Sequence, residues 1–280
     1  MSAATTSLPE RILAFAPAPE RDGKRLRAAD VARFNRDGYV LGLDVYSPEE
    51  AAANRQAFDR LLTSFQAAGH DSYAINGYHT SCADIWDIAM EPRILDHVED
   101  LLGPDFVIWG THYFCKMPND GKAVSWHQDA PYWPLTPSRT VTAWLAIDDA
   151  DVGNAAMRVI PGSHLHGALP YRQSRPEENN VLWRTIDGMD NGAAAVSMNL
   201  RAGQISLHSD LLVHGSLPNT SDRRRCGLTI RYAGAEVRSY DGWNQASMLC
   251  RGRDRDGHWA NLPRPPGNDV SRVIRAIGGN

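Results

Sequence analysis

From Gly103 onwards the chain is a series of short apolar runs rich in β-branched and aromatic residues, and this pattern restricts the possible folds more than any other feature. The runs are FVIWGTHYFCKM, TVTAWLAI, AAMRVIPGSH, VSMNL, QISLHSDLLVH and RCGLTIRYA. Clusters of Pro, Gly, Asn and Asp separate them, as expected of strands joined by turns. We therefore predict a mainly β protein, a sandwich or jelly roll, with flanking helices.

Helices are predicted ahead of these strands. The segment ADVARFNRD has apolar residues at helical spacing, and a predicted strand at Tyr39–Leu43 follows it. Ser47 and Pro48 are suited to begin a second helix, whose apolar spacing continues to Phe65. A third helix is predicted over Glu91–Leu102, because a Gly-Pro pair directly after it ends the apolar spacing.

A chain of 280 residues, 42% of them hydrophobic, can bury a large core, and we predict a single domain over residues 1–280. Residues 1–25 are predicted to form an irregular N-terminal leader. Residues 169–191 are polar and rich in Arg, Glu and Asn, which is typical of a long insertion between strands. Since insertions of this length often cover active sites, we predict a lid there.

The overall charge disfavours several classes of function. A formal net charge of −4 and a pI near 6.2 do not favour binding to nucleic acid or to an acidic membrane surface. The sequence has no apolar stretch long enough to cross a bilayer and no signal-peptide pattern. The four cysteines form no C-x-x-C pair and suit a reducing compartment. We predict a cytoplasmic protein that acts on a small molecule; its oligomeric state is not indicated.

The sharpest local feature is the segment SWHQD, which contains His127 and Asp129. Residues two apart on a strand point to one face, so these two are predicted to present an imidazole and a carboxylate side by side. His214 ends a later apolar run and is the best candidate for a third ligand. Two His and one carboxylate leave one face of an octahedron open, as in iron(II) oxygenases that bind a chelating cosubstrate and O2. Zinc hydrolases more often use H-E-x-x-H, which the sequence lacks.

An arginine can bind the far carboxylate of such a cosubstrate, since a guanidinium offers it two parallel hydrogen bonds. Arg225, eleven residues after His214, ends a run of three arginines that leads into the strand CGLTIRY. Alternation places Arg225 and Arg231 on one strand face, so these two are the candidates for the pocket. Arg223 and Arg224 are predicted to lie in solvent.

The chain also resembles the phytanoyl-CoA dioxygenase family of iron(II)/2-oxoglutarate oxygenases. The matching segments, from residue 30 onwards, are FNRDGYV, GTHYFCKMP, SWHQDAPYW, TAWLAIDDA, MRVIPGSH, HGSLPNTSDRRR and IRY. The resemblance is greatest to the branch that contains aminoethylphosphonate hydroxylases and related chlorinating enzymes. It implies a double-stranded β-helix (jelly-roll, cupin-like) fold, Fe(II) as the metal, and 2-oxoglutarate and O2 as cosubstrates.

The resemblance also assigns roles to individual residues. The implied iron ligands are His127, Asp129 and His214. Arg225 is implied to bind the distal carboxylate of 2-oxoglutarate, and Trp144, Thr142 and His112 are implied to lie beside that cosubstrate. For Trp144, packing in the core is an equally good interpretation.

Asp129 bears on the type of reaction. The resemblance implies that chlorinating relatives have a small residue at this position, so that chloride takes the vacated iron site, whereas this chain keeps the carboxylate. Hydroxylation of an unactivated C–H bond, with release of succinate and CO2, is therefore predicted. Ala155 departs from the family pattern, which has Gly before MRVIPGSH, so the turn there is expected to differ.

The substrate is less well defined. Five aromatic residues near the metal segments either form a box for a substituted ammonium group or belong to the core: Trp109, Tyr113, Trp126, Tyr132 and Trp133. Arg158, Arg231 and the pair Asn179-Asn180 are candidates for binding a phosphonate or carboxylate. A small zwitterion, such as an aminoalkylphosphonate or an amino acid derivative, fits both ideas. A larger natural-product scaffold, or a non-catalytic cupin-like role in binding small molecules, is the alternative.

Overall fold

The computed structural model describes residues 10–189 and 195–271. These residues form four α-helices: α1 (Ala28–Asp37), α2 (Pro48–Ala67), α3 (Ala83–Ala89) and α4 (Pro92–Leu102). The described strands are β1 (Tyr39–Asp44), β2 (Phe106–Lys116), β3 (Val124–His127), β4 (Leu135–Thr136), β5 (Thr140–Ala146), β6 (Arg158–Val159), β7 (Arg172–Gln173), β8 (Arg184–Thr185), β9 (Val196–Ser197), β10 (Gln204–Ser209), β11 (His214–Ser216), β12 (Arg225–Gly234), β13 (Arg238–Ser239) and β14 (Met248–Arg251).

The predicted helices are confirmed, and their ends have local causes. At the start of α2 the Ser47 hydroxyl accepts a hydrogen bond from the Glu50 N–H (3.2 Å), and the Glu50 carboxylate accepts one from the Ser47 N–H (2.8 Å). Helix α1 ends at Gly38, which has φ of +87° and donates its N–H to the Phe34 carbonyl. Helix α3 was not predicted, because seven residues are too few to display a helical repeat.

Two antiparallel sheets form the body of the fold. The larger has the strand order β1-β10-β5-β12-β2-β14, and the smaller has the order β3-β11-β6-β9. Neighbours in each sheet are distant in the chain, as in a jelly roll. The prediction of a mainly β, jelly-roll fold is therefore confirmed.

Two hydrophobic clusters of the core lie on opposite faces of β5. Leu145 on one face of β5 packs in a cluster with Phe58 of α2 and Val98 of α4. Trp144 on the other face packs with Val159 of the smaller sheet. Because both faces of β5 are covered, every residue of this strand is buried. The helices pack on the outer face of the larger sheet. The space between the two sheets is where the candidate site lies.

The two irregular segments predicted from the sequence are described in part. Residues 10–25 have no regular secondary structure, and Arg11 donates hydrogen bonds to the carbonyls of Ala130 and Trp133. Residues 1–9 lie outside the described residues, so the leader over residues 1–25 stays a prediction. Within the predicted lid, β7 and β8 pair as a ribbon, and residues 190 and 191 lie outside the described residues. No helix in the described part of the chain is long and apolar enough to cross a membrane.

Candidate metal centre

His127 and His214 lie side by side in the smaller sheet. They are direct partners in the antiparallel pair β3–β11, and their ring centroids are 4.0 Å apart. Nδ1 of His127 lies 2.8 Å from the Ser125 carbonyl, and Nδ1 of His214 lies 3.0 Å from the Leu212 carbonyl. A carbonyl only accepts hydrogen bonds, so each Nδ1 carries the proton and each Nε2 keeps a lone pair for a metal. Burial lowers the pKa of His127 well below its ordinary value, which keeps the ring neutral.

Asp129 completes the group, but not from the strand position that was predicted. Strand β3 ends at His127, and Asp129 has helical dihedral angles (φ −72°, ψ −44°) at the start of a one-turn 3-10 helix, Ala130–Tyr132. The expectation that His127 and Asp129 share a strand face is therefore wrong; a turn brings them together. Asp129 Oδ1 lies 3.7 Å from His127 Nε2. One ligand atom from each of the three residues lies within 4.8 Å of the others, so the group can hold one metal ion.

A cavity of about 440 Å³, its open mouth included, connects this group with the inner face of the larger sheet. Its lining consists of Phe114, Val124, His127, Asp129, Trp144, Met157, His208, His214, Gly215, Ser216, Arg225, Thr229 and Arg231. Five of the seven site residues predicted from the sequence therefore line this cavity, whereas Thr142 and His112 are not among its lining residues.

Arg225 begins β12 and is only 2% exposed. Its Nε donates to the Ala155 carbonyl (3.1 Å), and one Nη donates to the Ser216 hydroxyl (3.1 Å). The other Nη makes a longer contact with the Phe114 carbonyl (3.5 Å). None of these acceptors is charged, and within the described residues no carboxylate lies within 4.0 Å of this guanidinium. Burial lowers the pKa of Arg225, although an arginine stays protonated. A buried cation without an ionic partner is suited to an anion that enters from outside.

The two preceding arginines differ from each other. Arg223 is half-exposed and pairs with Asp151, in agreement with a solvent position. Arg224 is mostly buried and forms a bidentate pair with the buried Asp148 as well as a contact with Asp59 of α2. The prediction that Arg224 lies in solvent is therefore wrong, because two distant acidic residues draw its side chain inwards.

Trp144 is both a core residue and part of the cavity wall. It packs with Val159 between the sheets, and its ring centroid lies 5.8 Å from the Arg225 guanidinium carbon. A Cβ atom on Gly227 would lie only 2.0 Å from Cζ2 of Trp144, so glycine at that position gives the indole its space. The contact of Trp144 with a cosubstrate stays a prediction.

Thr142 and His112 lie near the cavity but apart from its lining. Thr142 is buried on β5 between His208 of β10 and Arg231 of β12, and its hydroxyl has no hydrogen-bond partner within the described residues. His112 Nε2 lies 2.8 Å from the Tyr73 carbonyl, and burial lowers the pKa of the ring to about 3. Their roles beside a cosubstrate stay predictions.

His208 was not predicted as a site residue. It is buried, it lines the cavity, and neither ring nitrogen has a hydrogen-bond partner in the described part of the chain. Its Nε2 lies 3.9 Å from Asp129 Oδ2, and its ring centroid lies 5.0 Å from that of His214. The available signal was a second histidine in the apolar run QISLHSDLLVH, six residues before His214.

The five aromatic residues considered for an ammonium box do not converge. Trp109 and Trp133 pack edge to face at 4.6 Å in a separate core cluster. Tyr113 packs in the core on the helix side of the larger sheet, away from the metal group. Tyr132 lies beside His127, with 6.0 Å between the ring centroids. The core interpretation therefore holds for Trp109, Tyr113 and Trp133.

The polar residues near the predicted lid that were candidates for binding a phosphonate or carboxylate do not converge on the cavity either. Asn180 accepts a hydrogen bond from the Ser125 N–H (2.9 Å), and Asn179 donates one to the Gly121 carbonyl (2.8 Å). These amides therefore join the loop between β7 and β8 to β3 and to the turn that precedes it. Arg158 lies over the ring of Trp126 at 5.4 Å, outside the cavity.

Comparison with known proteins agrees with the fold. The family model described as Phytanoyl-CoA dioxygenase (PhyH) matches residues 34–227. The peroxisomal phytanoyl-CoA dioxygenase of Homo sapiens is 29% identical over 229 residues, which cover 80% of this chain and 64% of that protein. The chain spans about half to two thirds of the length of the mammalian relatives it matches.

Solved structures extend the comparison. The apo form of the non-heme monooxygenase ThoJ is 33% identical, with a TM-score of 0.74 over 85% of this chain and 88% of that chain. CytC3 with Fe(II) and alpha-ketoglutarate is 22% identical, with a TM-score of 0.63 over 85% of this chain and 93% of that chain, and it shares the fold. The family match covers more than half of the chain, and the chain therefore belongs to the phytanoyl-CoA dioxygenase family of iron(II)- and 2-oxoglutarate-dependent oxygenases.

Proposed function

We propose that the protein is an iron(II)- and 2-oxoglutarate-dependent dioxygenase that hydroxylates an unactivated C–H bond of a small polar molecule. The observation that carries the proposal is the cavity itself. Two imidazole lone pairs and one carboxylate converge on one side of it, and the buried guanidinium of Arg225, without an ionic partner, lies on the other. Family membership supports the same activity, and the CytC3 structure contains Fe(II) and alpha-ketoglutarate.

The donor set fits iron(II). His127, Asp129 and His214 would occupy three neighbouring coordination positions and leave three open, enough for a chelating 2-oxo acid and O2. Bound iron(II) would supply the oxidation, in which 2-oxoglutarate becomes succinate and CO2, one oxygen atom enters succinate and the other enters the product. The protein supplies orientation and a cavity that limits access of water.

Arg225 determines how the cosubstrate would be oriented. A bidentate pair with the distal carboxylate directs the 2-oxo acid end towards the metal group across the cavity. Trp144 closes the cavity beside this pair. Since Asp129 occupies the position that chlorinating relatives leave free, we propose hydroxylation and not halogenation.

The polar and charged side chains that line the cavity support a small polar substrate. We therefore favour an aminoalkylphosphonate or an amino acid derivative. A larger natural-product scaffold would have to bind at the open mouth, and a non-catalytic binder would form no succinate. Both alternatives are outcomes of the test that follows.

The test has two stages. Purified protein is first loaded with Fe(II) and 2-oxoglutarate without O2, and the visible charge-transfer absorption of the chelate is titrated. O2 is then admitted, and succinate is measured with a panel of aminoalkylphosphonates, amino acid derivatives and larger scaffolds. The His127→Ala variant should lose both signals, and His70→Ala, which alters an exposed histidine, should keep both. Wild-type protein that forms no chelate and no succinate would refute the proposal.

A further inference from the structure

Arg231 is a second cation in the cavity, separate from Arg225. Both residues lie on the inner face of β12, as alternation predicted, and both line the cavity. Residues six apart on a strand have Cα atoms roughly 20 Å apart, so the two side chains serve different parts of the cavity.

The guanidinium of Arg231 is oriented but not paired. Its carbon lies 5.6 Å from the ring centroid of Trp109 and 5.2 Å from that of Trp133. Aromatic faces hold the plane of the cation but accept no conventional hydrogen bond. Its Nε is buried without a partner, and within the described residues no carboxylate lies within 4.0 Å of it. The fork of donors is therefore free and open to the cavity.

A β-bulge fixes this arrangement. Along the β12–β2 pair, Arg231 is opposite Gly110 and the next residue, Tyr232, is opposite Ile108, so β2 has one additional residue, Trp109, at this point. Bulges re-aim side chains and are frequent beside active sites. Here the bulge brings the indole of Trp109 against the guanidinium, which is a built feature and not a flexible surface contact.

Arg231 belongs to a row of unpaired polar groups. His208, Thr142 and Arg231 are direct neighbours on three adjacent strands, and each has a buried polar atom without a hydrogen-bond partner in the described residues. Side chains of directly paired residues lie on one face of the sheet. Buried donors that lack acceptors are unfavourable, so a ligand with several acceptor oxygens would stabilise the two members of the row that line the cavity, His208 and Arg231.

The charges of the cavity also favour a ligand with several acceptor oxygens, and they favour one that is negatively charged. Asp129 is the only carboxylate in the described lining, which also includes the guanidinium groups of Arg225 and Arg231. The charge of iron(II) would be balanced by Asp129 and by the carboxylate at the 2-oxo acid end of 2-oxoglutarate, and Arg225 would be balanced by the distal carboxylate. The positive charge of Arg231 would then remain without a counter-ion.

We propose that the substrate carries a carboxylate or phosphonate group that binds to Arg231, which places the rest of the molecule next to the metal group. This inference rests on the proposed function. It adds the class of substrate: neutral molecules and simple cations are disfavoured, and an anion of small size is preferred.

The test uses small probes while 2-oxoglutarate occupies Arg225. Protein loaded with Mn(II) and saturating 2-oxoglutarate is titrated with propionate, ethylphosphonate and the uncharged propionamide, and binding is followed by tryptophan fluorescence and by calorimetry. We expect saturable binding of at least one anion, at least tenfold tighter than that of propionamide. The difference between the two anion titrations identifies the carboxylate or the phosphonate as the preferred group.

Variants then locate the binding. In Arg231→Gln the preference for the anion should disappear, while the affinity for 2-oxoglutarate stays within threefold of wild type. Arg231→Lys should retain part of the preference for the anion over propionamide, since lysine keeps the positive charge but not the two parallel N–H donors of the guanidinium. Arg253→Gln, which changes an exposed arginine, is the matched control and should behave as wild type.

Three results would overturn the proposal. The first is equal binding of propionamide and both anions by the wild type, which does not depend on the folding of any variant. The second is an unchanged preference in Arg231→Gln. The third is a loss of 2-oxoglutarate affinity in that variant as large as the loss of anion affinity, which would assign Arg231 to the cosubstrate. If 2-oxoglutarate fails to bind at all, the proposed function fails, and the same titrations in an Arg225→Gln background without cosubstrate still test Arg231.

Discussion

Replacement of Arg225 by leucine should change the stability of the ligand-free protein only modestly, but it should remove most of the stabilisation that 2-oxoglutarate gives. In the ligand-free state the guanidinium of Arg225 is buried and donates hydrogen bonds only to neutral acceptors. No ion pair among the described residues therefore offsets the free-energy cost of removing this charge from water. Apolar replacement of buried ionic groups is often neutral or stabilising by about 1–4 kcal/mol. Leucine would also leave the Ala155 carbonyl and the Ser216 hydroxyl without this donor, at about 1–3 kcal/mol each. These terms oppose each other: mid-range values are about 2.5 kcal/mol gained and about 4 kcal/mol lost, so we expect a net loss of about 2 kcal/mol.

The response to 2-oxoglutarate should change far more. Loss of one partner of a buried, hydrogen-bonded charge pair costs about 2–5 kcal/mol, which corresponds to a roughly 30-fold to 4,000-fold weaker Kd. At a concentration 1,000 times its Kd, a ligand stabilises the folded state by about 4.1 kcal/mol. A thousandfold weaker Kd would reduce that gain to about 0.4 kcal/mol at the same concentration.

Thermal denaturation with and without 2-oxoglutarate, in the presence of Mn(II), measures both effects. Wild-type protein should gain roughly 10 °C in Tm from saturating cosubstrate, and the Arg225→Leu variant should gain almost nothing. Metal binding should persist in the variant. Arg223→Leu is the matched control, since that arginine is half-exposed on the surface. If 2-oxoglutarate raised the Tm of Arg225→Leu as much as that of the wild type, the reasoning would be refuted, and Arg231 would become the preferred residue for binding the distal carboxylate. If the ligand-free variant were less stable than the wild type by more than about 4 kcal/mol, the account of how Arg225 is buried would be refuted.

The other predictions concern the metal group and its surroundings. His127→Ala and His214→Ala should abolish turnover and stoichiometric iron binding, because two remaining ligands hold a labile divalent ion poorly; near wild-type iron content by metal analysis would remove these residues from the site. Asp129→Ala should lose most hydroxylation without efficient chlorination, since the substrate carbon is not moved; mass spectrometry in chloride buffer tests this, and a chlorinated product from the wild type would contradict the assignment. Gly227→Ala should displace Trp144 from a 2.0 Å overlap and cost about 1–3 kcal/mol of stability; an unchanged Tm would show that the indole moves freely.

Those features of the site that depend on a local repeat were predictable from the sequence. Strand alternation placed Arg225 and Arg231 on one face of β12, and the structure has both in the cavity. The same rule failed for Asp129, because β3 ends two residues before it. Pro131, in the first turn of the short helix that follows, was the available sign that the strand would not continue.

Features that depend on contacts between distant segments were not predictable. Arg224 appeared to belong to a solvated run of charge, yet Asp59 and Asp148, far away in the chain, hold it against the protein. His208 becomes a site residue only because β10 lies beside β5 in the sheet, an order that no local pattern encodes. The aromatic residues could not be divided between core and cavity for the same reason.

The division of the site between two sheets explains why metal binding and anion binding should respond separately to mutation. The histidines lie on the smaller sheet and Asp129 lies in the turn that follows β3, whereas both arginines lie on β12 of the larger sheet. Nothing covalent fixes the distance between the two groups. It is set by side chains packed between the sheets, above all Trp144 of β5 against Val159 of β6. A close-packed core has few alternative arrangements, so this contact keeps the arginines at a fixed distance from the metal group.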